Sequence, residues 1–264
     1  MFSGIRGLEP GCIGVFSNSR LQTTSYWRME FDIKSGAEDA QVDELRDTLK
    51  SSVRRQLRSD VPVGTFLSGG MDTGAISVLA RSHLGDMHSF TCGFSTEGFE
   101  GDEKYFDERP QARELAQQLS TWHHEIEVKP YDLSQLLPMV AWHLEEPCVG
   151  ISYQNFAMAK TVSDHVVVVM SGVGGDELLG GYPWRLAPIA NISNLADTDR
   201  RYYQICARLL DQNSQIRLFS DAVCKELDGY SPWEDYSQVM ANCHSEDPIH
   251  RALYFDSKGF LRGL

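Results

Sequence analysis

No Gly-Lys pair occurs anywhere in the chain, which excludes the Gly-x-x-x-x-Gly-Lys-Ser/Thr phosphate loop of the Walker type. No Cys-x-x-Cys pair occurs either. The six cysteines, at positions 12, 92, 148, 206, 224 and 243, are scattered, which argues against a zinc cluster or a disulfide framework and for reduced thiols in a cytoplasmic setting. No apolar run approaches the roughly 20 residues of a membrane helix, and the first residues carry no signal-peptide pattern. Basic residues are scarce: 24 Lys and Arg against 37 Asp and Glu leave a formal net charge of -13. That balance argues against nucleic acid or an anionic membrane surface as a partner. It also requires any phosphate-bearing ligand to be neutralised locally, by metal and by backbone dipoles.

What is present is glycine, gathered into two loops. A mostly apolar run, 61–67, empties into Phe66-Leu67-Ser68-Gly69-Gly70-Met71-Asp72-Thr73-Gly74. An apolar-periodic helix follows. Strand, glycine turn and helix N-terminus form a cradle for an anion, because glycine lets the backbone approach and the first helical N–H groups point at the ligand. An aspartate in such a cradle makes sense when a divalent cation lies between it and the phosphates. The loop therefore suggests magnesium-bound ATP or pyrophosphate; without a ligand, it is a small-residue strand-to-helix turn. A second loop repeats the grammar. The β-branched run 166–170 reads as a strand buried on both faces of a parallel sheet and empties into Ser171-Gly172-Val173-Gly174-Gly175-Asp176-Glu177, then Gly180-Gly181-Tyr182. Ligands of doubly wound sheets sit at the carboxyl ends of strands, so the two loops are expected to face one pocket in which Asp72 and Asp176 share one magnesium ion through hard oxygen ligands. The bland alternative for Asp176 and Glu177 is acidic first-turn residues complementing a helix dipole.

At these residues a family resemblance becomes specific. Ser-Gly-Gly-x-Asp-Ser/Thr resembles the pyrophosphate loop of the N-type ATP pyrophosphatases. Ser-Gly-x-Gly-x-Asp-Glu followed by Gly-Gly-Tyr is similar to the second signature of the asparagine synthetase family, which includes β-lactam-forming synthetases. Gly4-Ile5 to Pro10-Gly11, Tyr26-Trp27, His88 to Phe94, Asp107-Glu108 before Ala112-Arg113, His123-His124-Glu125 and Glu145-Glu146-Pro147 follow in the order expected of that family's synthetase domain. The resemblance implies an adenine nucleotide alpha hydrolase-like fold and an ATP-dependent amidating ligase. A carboxylate, with aspartate the expected one, would be activated as an acyl-adenylate with release of pyrophosphate and then transferred to ammonia. By carry-over, Ser68, Gly69, Gly70, Asp72 and Thr73 hold the pyrophosphate, and Leu67, Cys92, Ser171 and Gly172 hold the AMP portion through backbone contacts. Asp72 and Asp176 carry magnesium, so ATP and Mg2+ are the implied cofactors. Three departures stand out. Val173 occupies the position where asparagine synthetases carry Glu and β-lactam-forming members carry Tyr, and it can neither take a proton nor donate a hydrogen bond. The sequence offers no N-terminal cysteine or glutaminase domain, and it ends at Leu264, before the family's basic segment near the phosphates. The expectation is a synthetase domain cut at both ends, needing a separate glutaminase or a missing C-terminal segment. Two alternatives remain beside the ligase: a non-catalytic, partner-dependent nucleotide-binding fragment, and a β-lactam-synthetase-like enzyme.

The remaining pattern predicts an α/β fold: a parallel twisted sheet with helices on both faces, a short β-rich entry and a helical C-terminal part. Within one domain, 1–30 is the β-rich lead-in, 39–189 the nucleotide-binding core and 190–264 the helical region. Strands are expected at 12–16, 21–27, 61–67, 88–94, 122–128 and 166–170. Helices are expected at 39–58, 73–83, 107–120, 133–143 and 152–163. Val42, Leu45, Leu49, Val53 and Leu57 form a core-facing stripe on the first helix, with Arg54, Arg55 and Arg58 on its solvated face. Leu218 to Leu227 reads as one short helix stopped at Gly229, and Pro248 as the opening of the last helix. His123 and His124, adjacent on a strand, point to opposite faces and do not form a metal pair on their own. Glu145 and Glu146 read as a helix end before Pro147, and Cys92 as a small buried thiol. Tyr182 and Trp184 suit either a stacked base or ordinary packing.

Overall fold

The computed structural model describes residues 4–33, 36–95, 107–129, 131–145, 152–206, 214 and 217–261. The chain divides into two compact units, one spanning Lys34–Val173 and the other combining Phe2–Ile33 with Gly174–Leu264. Among the described residues, no helix is long and apolar enough to cross a membrane.

The first unit is the α/β core. Its elements run α1 (Glu38–Gln56), β3 (Val63–Phe66), α2 (Met71–Arg81), β4 (His88–Phe94), α3 (Arg109–Leu119), β5 (Trp122–Val128), α4 (Asp132–Leu144), α5 (Ser152–Ser163) and β6 (Val168–Met170). The four strands form one parallel sheet in the order β5-β4-β3-β6. Parallel strands need crossover helices, and strand parity assigns those helices to two faces. Phe90, Cys92 and Ile126 point to the side where Met158 and Val162 of α5 pack with Val166. Thr65, Leu67, Ser89 and Thr91 point the other way. There Ser77 of α2 donates to Thr65 Oγ1 at 3.0 Å, and Ala112 and Ala116 of α3 pack on Leu67. Small side chains on α2 and α3 let these helices lie close to a strand face whose hydroxyls are hydrogen-bonded. The expected parallel sheet with helices on both faces is what the chain builds.

Gly64 lies inside β3 because a Cβ there would meet the His88 carbonyl at 2.9 Å and the Phe90 ring at 3.0 Å; a glycine in a strand interior marks such a close approach. The stripe on α1 is only half used. Leu49, Val53 and Leu57 pack with Ala80 and Met87, whereas Val42 and Leu45 are exposed. The arginines Arg54, Arg55 and Arg58 are exposed as expected.

In the second unit, β1 (Cys12–Ser17) and β2 (Arg20–Ser25) form an antiparallel hairpin. Asn18 and Ser19 have φ of 50° and 58°, the left-handed pair that a tight hairpin turn demands. The helices are α6 (Gly175–Leu179), α7 (Pro183–Leu186), α8 (Leu195–Cys206), α9 (Asp221–Glu226), α10 (Pro232–Met240) and α11 (Pro248–Phe255), the last passing into a π turn at Asp256–Phe260. Asp247 caps α11 by accepting from Ile249 and His250, with Pro248 in the first helical position as expected. The helix expected from Leu218 begins later, at Asp221, because Ser220 accepts the Val223 N–H as its cap. Its cap is Leu227, and Gly229 (φ +83°) closes the turn beyond it. The core holds Leu186, Ile189, Tyr202, Tyr236 and Met240, with Met29 and Phe31 packed on it. Arg185 is buried at its centre, 3.0 Å from Asp256, which also accepts from Tyr202 Oη at 2.7 Å. The Arg185 guanidinium lies over the rings of Tyr182 and Phe260.

Two outcomes follow from β4. Phe90 is fully buried, so Phe90→Ala should lower stability by about 3–5 kcal/mol, as cavity-forming aromatic truncations do; urea unfolding monitored by circular dichroism checks this. Burial pushes the Cys92 thiol up to about 11, against a smaller opposing pull from Arg109. At pH 8 only about one Cys92 in a thousand is then thiolate, the reactive form. Iodoacetamide labelling followed by peptide mass mapping should find Cys92 the slowest of the partly exposed cysteines at pH 8, with its rate still rising tenfold per pH unit up to pH 10.

Candidate functional site

The site in the first unit is built where β3 and β6 end. Leu67 is pinned to β4 from both sides: its N–H donates to the Phe90 carbonyl at 2.8 Å, and its own carbonyl accepts from the Thr91 hydroxyl. The chain then turns through Ser68, Gly69 and Gly70. The Ser68 N–H donates to Thr73 Oγ1 at 3.0 Å, the two hydroxyls meet at 2.8 Å, and Ser68 Oγ accepts the Gly70 N–H at 3.0 Å. Thr73 thus supplies the hydroxyl that closes the loop. Gly70 caps α2 in an extended conformation without a side-chain acceptor. The partial positive charge of this helix start is therefore left for whatever enters the loop. Asp72 and Thr73, both half-buried, stand on that first turn. Gly69 lies against α3, where a Cβ would sit 3.1 Å from Gln111 Cβ and 3.3 Å from Glu108 Cβ.

The second loop comes to the same place. A Cβ on Gly172 would lie 2.7 Å from the Thr73 nitrogen and 2.9 Å from Asp72 Cβ. Backbone of the β6 loop therefore rests directly on the first turn of α2, which brings together Leu67, Ser68, Gly70, Asp72, Thr73 and Gly172. Ser171 is exposed beside them, its hydroxyl accepting the Val173 N–H at 3.1 Å. The Val173 side chain is 56% exposed, so nothing at this position handles a proton. Cys92 is in the second half of β4, with its thiol turned to the α5 face.

Arg109 at the start of α3 was not singled out from the sequence. It donates to Asp107 at 2.8 Å, to Glu127 at 2.9 Å and to the Phe94 carbonyl at 3.1 Å, and lies against the backbone of Gly93. It fastens α3 to the carboxyl ends of β4 and β5. Its guanidinium holds Asp107 below the usual carboxylate range. The Asp-x-Arg spacing of Asp107 and Arg109 was the available signal. Arg113 makes a matching two-pronged bond to Glu125. His123 turns toward Ser89, 2.9 Å from its hydroxyl, on the face away from His124. Glu145 ends α4 in a left-handed conformation, φ 55°, while Glu146 and Pro147 lie outside the described residues.

Asp176 belongs to the second unit, on the first turn of α6 after Gly174 (φ +102°). Its carboxylate folds over Gly181, where a Cβ would lie only 1.7 Å from Asp176 Oδ1, and its carbonyl accepts from Gly180 and Gly181 at 2.9 and 3.0 Å. Its neighbour Glu177 is buried and accepts from Tyr182 Oη at 2.6 Å. Glu177 and Tyr182 are thus partners in packing, and the Tyr182 ring is engaged by Arg185 and Phe260. Trp184 beside it is 64% exposed.

The protein-family profile described as asparagine synthase matches residues 44–264. A Mycobacterium tuberculosis protein provisionally named asparagine synthetase [glutamine-hydrolyzing] is 31% identical over 98% of this chain. Asparagine synthetase [glutamine-hydrolyzing] 1 of Bacillus subtilis is 28% identical over the same share. The chain spans 44% of the length of each of these curated relatives. Among solved structures, the NH3-dependent NAD synthetase of Campylobacter jejuni aligns over 87% of this chain and 97% of its own, at 16% identity and a TM-score of 0.38. At that score the four-strand parallel order itself carries the fold assignment. With the family profile matched from residue 44 onward and both glycine loops in place, the chain belongs to the asparagine synthase family.

Proposed function

We propose that the chain is the synthetase portion of an ATP-dependent amidating ligase that activates a small carboxylate, aspartate being the first candidate, and passes it to ammonia. The observation that carries this reading is Gly172 resting on the first turn of α2, which joins two strand-end glycine loops around one uncapped helix start. Ser68, Gly69, Gly70, Asp72 and Thr73 receive the pyrophosphate of ATP, and the backbone of Leu67, Cys92, Ser171 and Gly172 receives the AMP portion. Asp72 and Asp176 are each assigned a magnesium-ligand role; their hard carboxylate oxygens suit that ion, and the half-buried Asp72 stands on the cradle itself. Magnesium, when bound, neutralises charge on the leaving pyrophosphate. The residues of the chain do the rest. The α2 start and the 68–70 backbone orient the β- and γ-phosphates and stabilise charge developing on them. Substrate carboxylate oxygen attacks the α-phosphorus, the bond to the β-phosphate oxygen breaks, and pyrophosphate leaves. Ammonia then attacks the acyl carbon, AMP departs, and the extra proton on nitrogen goes to solvent. The ammonia would come from a separate glutaminase or from solution.

The exposed Val173 favours a second reading, a nucleotide-binding unit that needs a partner chain to complete the amine step. ATP–pyrophosphate exchange with a panel of carboxylates separates the two. Exchange that depends on aspartate supports the ligase; magnesium-dependent ATP binding without exchange supports the partner-dependent unit; absence of ATP binding removes both.

Two substitutions probe the cradle. Asp72→Asn should weaken magnesium-dependent ATP binding by about tenfold or more, roughly 1.4 kcal/mol, while metal-free binding stays the same or strengthens, because a carboxylate that repels the phosphates is gone. Gly172→Ala should weaken ATP binding with or without magnesium, because its methyl group forces the two loops apart. Isothermal titration of both variants, with and without magnesium, reads the difference. Unchanged binding in Asp72→Asn would remove the metal role from that residue.

A further inference from the structure

Three histidines converge in the first unit, at a place that the nucleotide reading does not use. His88 opens β4. His124 is the third residue of β5, directly opposite Phe90 in the parallel register. His165 follows α5, its N–H bonded to the Val162 carbonyl. Strand parity sends His88 and His124 to the same face as Phe90, and α5 crosses that face and delivers His165. One ring nitrogen from each lies within 4.8 Å of the others, and His88 Nδ1 is 2.9 Å from His124 Nε2. The rings stack at centroid separations of 4.0 to 5.2 Å, with the Phe90 ring 5.0 Å from His124 as an apolar floor. His88 and His124 are half-buried and His165 is exposed, so the cluster is walled on one side and open to solvent on the other.

The 2.9 Å contact is a hydrogen bond between two of the rings, and the His165 ring adds a third nitrogen within 4.8 Å of both. The loss of hydration on burial holds both His88 and His124 below the usual imidazole range, and each lowers further beside the neighbouring rings. Imidazole binds metal in its neutral form, through the ring nitrogen that carries a lone pair.

We propose that His88, His124 and His165 form a binding site for a borderline transition-metal cation, zinc being the reference ion, with the fourth position open to water on the His165 side. Three imidazoles and a water make the tetrahedral set that zinc accepts, and nitrogen donors discriminate against magnesium. The site lies toward the amino ends of β4 and β5, whereas the glycine loops follow the carboxyl ends of β3 and β6. A bound ion ties β4, β5 and the end of α5 together, and its effect is on stability.

The test uses the full chain after chelator treatment. Zinc competition against a chromophoric chelator should give one equivalent bound, and cobalt substitution should give the visible d–d absorption of a tetrahedral site. His165→Ala, at an exposed position, and His124→Gln, which keeps polar bulk, should each weaken zinc binding on the order of a hundredfold, the upper end of the loss seen even for supporting groups. His83→Ala, an exposed histidine outside the cluster, should leave it unchanged. Zinc, but not magnesium, should raise the Tm of the parent chain, and that rise should vanish in His165→Ala, as linkage requires. Absence of a stoichiometric zinc site or of the cobalt absorption in the parent chain overturns the proposal. So does equal zinc affinity in His165→Ala and the parent.

Discussion

A methyl group on residue 172 would stand 2.7 Å from the amide nitrogen of Thr73, closer than any side-chain carbon approaches a backbone nitrogen. The loop after β6 can therefore touch the start of α2 only as bare backbone, and the α/β unit is arranged to make that contact. β3 and β6 are neighbours in the sheet, paired from Val63 with Val168 to Thr65 with Met170, so both chains leave the sheet side by side. Leu67 is then held by its N–H and its carbonyl to β4, which fixes where the first loop begins. Ser68 and Thr73 close that loop through their hydroxyls and spare the α2 start from side-chain capping. Each step removes a freedom that would otherwise blur the geometry of a small anion cradle.

Charge explains why such a cradle needs outside help. The chain carries a formal charge of -13, and the guanidinium on the turn beside Gly69 is committed: Arg109 is bonded to both Asp107 and Glu127. What remains at the α2 start is a helix dipole equivalent to roughly half a positive charge, with Asp72 standing on it. A triphosphate there would meet more negative than positive charge. In the proposed reading, the cation that arrives with the nucleotide corrects this balance and turns Asp72 from a liability into a ligand.

The sheet was legible because buried parallel strands are short, apolar and separated by helical pattern. The ends of β4 and β5 and of α5 fall where hydrophobic pattern alone placed them. The expected strand 166–170 is shorter in the fold, since Val166 gives its N–H to Val162 at the end of α5 and Val167 to Pro62; the sequence cannot show that the preceding helix claims the first residue. The helix expected from residue 73 begins two residues earlier because Gly70, not Asp72, adopts the extended cap. That the two glycine loops face one another was expected from their shared strand–glycine–aspartate pattern; the contact that joins them was not. The packing of Gly172 on Asp72 and Thr73 joins positions about a hundred residues apart. The clamp through Arg109 is invisible in the sequence pattern for a similar reason: its partner Glu127 lies on β5, 18 residues further along the chain. The histidines are the sharpest case. Alternation correctly separates His123 from His124, but only the offset pairing of β5 on β4 and the course of α5 reveal that His124 has His88 and His165 for company.

The second signature separates into residues with different duties once its contacts are traced. Glu177 is buried and takes the Tyr182 hydroxyl; Gly180 adopts φ +77°, and Gly181 makes room for the Asp176 carboxylate. The Gly-Gly-Tyr portion therefore serves to shape α6 and to seat Tyr182 against Arg185 within the second unit. In the proposed reading, Ser171, Gly172 and Asp176 are the positions of the signature assigned to ligand, and the Val173 side chain has neither a polar group nor a close packing role. A valine there leaves the packing residues of the motif untouched, because none of them leans on it. A side chain without a proton-handling group at this position is thus compatible with an intact fold and with the loop contact between Gly172 and α2. Under the proposed function, nucleotide binding and amine transfer would therefore be separable within one signature: the contacts proposed to hold the nucleotide are structural neighbours of one another, whereas position 173 is an exposed side chain that the scaffold does not need.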